Sequence, residues 1–168
     1  MVCFRRLCMA VGVIAALTVF TEPAWAQSQV TYSLAGVETA ATPTEGTFIG
    51  VALARDDFGT WGAVIDHDPL SNPAPLVTSG AFAINGQVRD LQGVITGGTI
   101  SRLGGSCRKE TFAVTGDVVL VSSGVPNGGS GVFGVKLTHY GFRVPGGGCV
   151  TFFATVEGLI TLTLPPSP

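Results

Sequence analysis

Two of the four cysteines (Cys3 and Cys8 fall within the first 26 residues), the two histidines and a small set of cations are the side chains of this sequence best suited to chemistry. Cys107 and Cys149 each follow a glycine-rich stretch, Gly104-Gly105 and Gly146-Gly147-Gly148, and each opens a strand-like run. Neither belongs to a C-x-x-C motif, so thiol catalysis is disfavoured and a structural disulfide is the expected chemistry. The flanking glycines let the two Cα atoms approach to the ~5.5–6 Å that a bridge prefers. On a chain-entropy view, closing that loop contributes on the order of 4 kcal/mol.

Asp66-His67-Asp68 has the residue types of a metal site. In a strand, however, the two carboxylates point to one face and the imidazole to the other. No metal or other cofactor is therefore expected. His67 alternates with Trp61 and Ile65, and His139 with Phe133, Val135 and Leu137. With both faces inward, the two imidazoles share one cavity beside an Asp or Arg. Trp61, His67, Phe133 and His139 are accordingly the candidate pocket residues; the competing reading is a pair of satisfied core or rim histidines. No serine-nucleophile motif, zinc signature or phosphate loop is present, and no catalytic residue is assigned. An enzyme with His67 or His139 as general base is the less favoured reading.

Arg102, Arg108, Lys109 and Arg143 cluster in sequence near the cysteines. They read as a cationic rim for an acidic ligand or as solvated loop residues. Phe48, Phe58, Phe82, Phe112, Phe133, Phe142, Phe152, Phe153 and Trp61 either line an apolar pocket or fill the core of a small barrel.

The elements that must position these groups read as strands throughout. Apolar residues alternate with polar ones, and Gly, Pro, Asn and Asp interrupt them at short intervals, which predicts a sandwich or barrel. From Cys149 to Leu164 the alternation places Val150, Phe152, Ala154, Val156, Gly158, Ile160, Leu162 and Leu164 on one face. Earlier strands are expected at 30–34, 47–54, 60–67, 76–84, 88–96, 99–103, 110–121 and 132–144. A Thr/Ala/Pro/Glu loop is expected up to Gly46, and a flexible connection over 122–131. Asn85-Gly86 is the strongest hairpin cue. In 47–54, Gly50, Ala52 and Ala54 make one face thin, which suits a cavity if that face points inward. Glycines inside strands favour the coiling of a closed antiparallel barrel of about eight strands over a β-sandwich.

Residues 1–26 read as a cleaved signal peptide: Arg5-Arg6, an apolar run from Leu7 to Phe20, and Ala24-Trp25-Ala26 before Gln27. That run is too short for a spanning helix, so no transmembrane segment is expected after cleavage. Residues 27–164 then form one β domain, and 165–168 a proline-rich tail that cannot pair. From Gln27 onward seven Lys and Arg face ten Asp and Glu, a formal charge of −3. Nothing in that balance attracts nucleic acid. The expected compartment is oxidising, either periplasmic or extracellular.

The leading functional expectation is an exported, non-catalytic barrel that binds a small apolar ligand, by fold analogy with lipocalin-like or allene-oxide-cyclase-like barrels. The alternative is a structural or surface-associated domain that contacts a cell-envelope protein. An outer-membrane barrel is a third reading, weakened by the scarcity of Tyr and Trp for interfacial girdles.

Overall fold

In the computed structural model, residues 27–165 are described, and they form eight strands: β1 (Gln29–Ala41), β2 (Glu45–Leu53), β3 (Phe58–His67), β4 (Leu76–Gly86), β5 (Asp90–Ser106), β6 (Lys109–Ser122), β7 (Val125–Arg143) and β8 (Cys149–Thr163). Each strand pairs antiparallel with its neighbours in sequence, and β1 pairs with β8. The sheet is a closed barrel and not a sandwich. The expected signal segment lies outside the described residues, as does the tail beyond Pro165.

Period-two patterning decides which side chains enter the barrel. Tyr32 and Leu34 on β1, Phe48 and Ala52 on β2, and Trp61 and Ala63 on β3 point inward and are buried. So are Phe82 and Ile84 on β4, Val114, Val118 and Leu120 on β6, and Val156, Ile160 and Leu162 on β8. Polar ladders such as Thr31–Thr161 and Thr99–Thr115 run along the outside, with hydroxyl oxygens 3.0 and 2.9 Å apart. Aromatic rings inside the barrel are seated over cross-strand glycines. A Cβ at Gly50 would lie 2.7 Å from Trp61 Nε1, and one at Gly116 2.5 Å from the Phe133 ring. Bare backbone opposite a ring keeps the wall thin where the ring is thick.

Several sequence expectations need correction. β1 continues from Ala35 to Ala41, where a loop was expected, because backbone pairing with β2 persists to Ala41↔Gly46 across a bulge. The expected break at Gly97-Gly98 is instead a bulge within one long β5. The connection between β6 and β7 shrinks to Ser123-Gly124, and the following segment is already paired. A further bulge between the Tyr140 and Gly141 pairings breaks the β8 alternation near Phe152. Val150 and Phe152 are consequently 43% and 67% exposed, not part of the inward face.

The two ends of the barrel differ. One gathers the β2–β3, β4–β5 and β6–β7 turns, the other the β1–β2, β3–β4, β5–β6 and β7–β8 connections. At the first end, Tyr32 is fully buried and its hydroxyl donates to Asp57 Oδ2 at 2.7 Å. Asp57 Oδ1 accepts from the Val88 amide at 3.0 Å. Arg89 adds a two-pronged contact to Asp56 at 3.2 and 2.6 Å. This polar plug closes that end.

At the other end, Cys107 and Cys149 are joined in a disulfide with Cα atoms 5.5 Å apart, as expected. It ties the β5–β6 turn to the first residue of β8.

Candidate functional site

The barrel encloses a cavity of about 320 Å³. Its lining is almost wholly apolar: Phe48, Trp61, Phe82, Ile95, Phe133 and Leu137 form much of the wall. Trp61 arrives from β3 because Gly36 and Gly50 leave room for the indole, whose Nε1 donates to the Ala35 carbonyl at 3.3 Å. A dry 150 Å³ void accepts a benzene ring, so this space suits roughly two fused rings or a folded alkyl chain. It falls within the range of small-molecule pockets.

All four residues singled out from the sequence, Trp61, His67, Phe133 and His139, line this one cavity. The cavity also holds a carboxylate, Glu38 rather than an Asp, and it faces His139. Glu38 follows Tyr32, Leu34 and Gly36 on the inward face of β1. Its place in that alternation was the available cue, hidden by reading 35–46 as a loop. The thin face of β2 also points inward: Ala52 is buried, Ala54 packs on the core, and Ile49, Val51 and Leu53 face out.

Glu38 Oε2 lies 3.6 Å from His139 Nε2, too far for a hydrogen bond. Both side chains are nearly buried, at 10% and 14% exposure. His139 Nε2 has no hydrogen-bond partner among the described residues, and its ring packs edge-on to Phe112 with centroids 5.5 Å apart. Burial pushes the Glu38 carboxyl up to about 7. Burial also pulls the His139 imidazole below its usual range, with Glu110 opposing and His67 reinforcing that shift. Both groups are thus driven toward their neutral forms, as expected for ionisable groups in an apolar pocket. His67 Nδ1 is 2.7 Å from the Asp68 carbonyl oxygen, which fixes its ring at the rim.

The neighbouring carboxylates serve the strand ends. Asp66 accepts from the Ser79 hydroxyl at 2.6 Å, and Asp68 from the Leu76 amide at 3.1 Å. They do not converge with His67, and the described residues contain no group of three or more His, Cys, Asp or Glu placed to hold a metal.

The aromatic set divides. Phe48, Phe82, Phe133 and Trp61 line the cavity, and Phe112 is buried in the wall. Phe58, Phe142, Phe152 and Phe153 are exposed, so the expectation that they line a pocket or fill the core is corrected for these four. Arg102 pairs with Glu110, while Arg108, Lys109 and Arg143 are exposed around the disulfide.

Fold and cavity together define an eight-stranded antiparallel barrel with one plugged end and an apolar chamber reaching toward the other. No protein-family model, curated protein or solved structure matches this chain.

Proposed function

We propose that the protein is an exported, non-catalytic binding barrel whose chamber takes one small, largely apolar molecule. The observation that carries this reading is the cavity of about 320 Å³ walled by aromatic and aliphatic side chains. A core left this open forgoes packing worth several kcal/mol in comparison with a filled one. Retaining it is the expected cost of a binding site. The Glu38–His139 pair at one wall supplies the few polar atoms that orient a bound molecule in such pockets. The disulfide fits export to an oxidising compartment, periplasmic or extracellular.

A spanning barrel carries its polar side chains in the lumen and its apolar ones toward lipid. Here the lumen is apolar, and the outer face bears threonine ladders and the Lys136–Glu157 ion pair. That arrangement favours a barrel surrounded by water. The alternative of a structural domain bound to a cell-envelope protein draws support from the apolar side chains on the outside of β2, chiefly Ile49, Val51 and Leu53.

Trp61 provides the test, because it is the one tryptophan after residue 26 and lies in the cavity wall. Titration with the apolar probe N-phenyl-1-naphthylamine is expected to quench Trp61 saturably with one probe per chain. Ala63→Phe, which fills the chamber from a position flanked by Phe48 and Phe82, is expected to abolish the response while the barrel remains folded. An equal response in this variant would place the probe elsewhere and reject the reading.

A further inference from the structure

The barrel wall is not level at its open end. Pairing between β1 and β8 stops at Val37↔Thr155, and pairing between β4 and β5 stops at Leu76↔Thr99. β5 continues to Ser106, β6 starts at Lys109, β7 continues to Arg143 and β8 starts at Cys149. Residues 101–111 and 139–153 therefore form a four-stranded lip that pairs with neither β4 nor β1. At ~3.3 Å per residue it extends for roughly 20 Å along β5. The disulfide joins the two hairpins of this lip, holding it as one sheet.

The outer face of the lip is apolar and aromatic. His139 points inward, so Tyr140 and Phe142 point outward, paired with Phe153 and Val150. The Tyr140 and Phe153 rings lie 5.9 Å apart, and the Phe142 and Phe152 rings 6.2 Å apart. Phe142, Val150, Phe152 and Phe153 are 43–67% exposed. Lys109, opposite Tyr140, brings a cation to the same face. Arg108 and Arg143 stand exposed at the tips.

Charge separates this region from the rest of the chain. The lip holds Arg102, Arg108, Lys109 and Arg143 against a single carboxylate, Glu110, already paired with Arg102. It carries a formal +3, although residues 27–168 together carry −3. Exposed aromatic rings beside unpaired cations suit the boundary between acyl chains and anionic headgroups. The same end of the barrel bears Glu38 and His139 of the apolar cavity.

We infer that the lip is a docking surface for anionic phospholipid bilayers, seating the open end of the barrel against the membrane. A small apolar molecule dissolved in the bilayer then has a short path into the chamber. The docking itself does not require the chamber to be occupied.

Sedimentation of the oxidised protein with phosphatidylglycerol/phosphatidylcholine vesicles tests this directly. Wild type is expected to sediment with these vesicles at low salt and much less with phosphatidylcholine alone. The triple variant Arg108→Glu, Lys109→Glu, Arg143→Glu is expected to lose at least about tenfold in partitioning. Phe142→Ser with Phe152→Ser is expected to lose binding even at low salt. All these positions are exposed, so Trp61 emission and urea midpoints should remain those of wild type. As a second readout, Phe152→Trp should be quenched by brominated phosphatidylglycerol, whereas Trp61 in the wild type should not. Failure of wild type to sediment with anionic vesicles at low salt overturns the inference. So does wild-type sedimentation by folded variants, or a Trp at position 152 that the brominated lipid does not quench; binding instead to an acidic protein with no vesicle binding would likewise overturn it.

Discussion

The plugged and open ends of this barrel use similar residue types to opposite effect. Each places a carboxylate beside an aromatic or imidazole ring, Asp57 from the β2–β3 turn and Glu38 from β1. At the plugged end, Asp57 receives hydrogen bonds from Tyr32 and from the Val88 amide. At the open end, Glu38 and His139 face each other without a hydrogen bond, and His139 Nε2 is unpartnered. The ionisation behaviour follows. The Tyr32 hydrogen bond holds the Asp57 carboxyl below the usual range, while burial and the nearby carboxylate push the Tyr32 hydroxyl up to about 12. Burial alone pushes Glu38 the other way. Satisfied polar groups stabilise a fold, and unsatisfied ones in a cavity mark where stability has been given up.

The two ends are also secured differently, and the largest expected effect probes this. Cys107→Ser with Cys149→Ser should lower stability by up to about 4 kcal/mol in urea unfolding, since the bridge closes a long loop. Hydrogen exchange should accelerate in the lip before it accelerates around Tyr32. Uniform acceleration would mean that the ends are not independent.

At the plugged end, Asp57→Ala should cost about 3 kcal/mol, because it leaves the buried Tyr32 hydroxyl and the Val88 amide without their acceptor. Tyr32→Phe should cost about 1–2 kcal/mol, read from the same urea midpoints. Glu38→Gln, by contrast, should leave stability near neutral pH unchanged or improved. A large loss in this variant would erase the distinction between the ends.

The pH dependence sharpens it. Because the folded protein holds the Glu38 proton more tightly than the unfolded chain, this contribution is complete below pH ~4.5 and disappears as pH rises through about 7. His139 acts in the opposite sense: its contribution is complete above ~6.5 and disappears as pH falls through its lowered value. Asp57 likewise contributes above ~4 and loses that contribution at more acidic pH. Urea midpoints from pH 4 to 8 should therefore show a decline toward pH 8 that Glu38→Gln removes, on the order of 1–3 kcal/mol. The smallest effect should come from Arg89→Ala, whose partner Asp56 is largely solvated. Its midpoint should be nearly that of wild type.

Much of the architecture was legible in the residues. The alternation Trp61, Ala63, Ile65, His67 and its counterpart Phe133, Val135, Leu137, His139 are both on the cavity wall. The glycine-flanked cysteines identified the bridge, since an antiparallel meander brings those two loops to one end. Much of what stayed hidden has a common cause. Bulges in β1, β5 and β8 alter the alternation without any distinctive residue type. The one near Phe152 makes an apparent core face into the exposed aromatic lip. In β1 the bulge falls after Glu38, and it was the Ala-, Glu- and Pro-containing stretch after Leu34, of weak strand preference, that concealed this residue. Strand pairing supplied by the neighbouring β2 overrode that local composition.

The most direct test of the central claim is native mass spectrometry of the oxidised protein before and after incubation with N-phenyl-1-naphthylamine, wild type beside Ala63→Phe. A one-to-one complex in wild type that disappears on denaturation, and is missing in the filled variant, is the predicted result. Bare wild-type chains after incubation, or equal complexes in both proteins, would contradict a ligand-binding chamber.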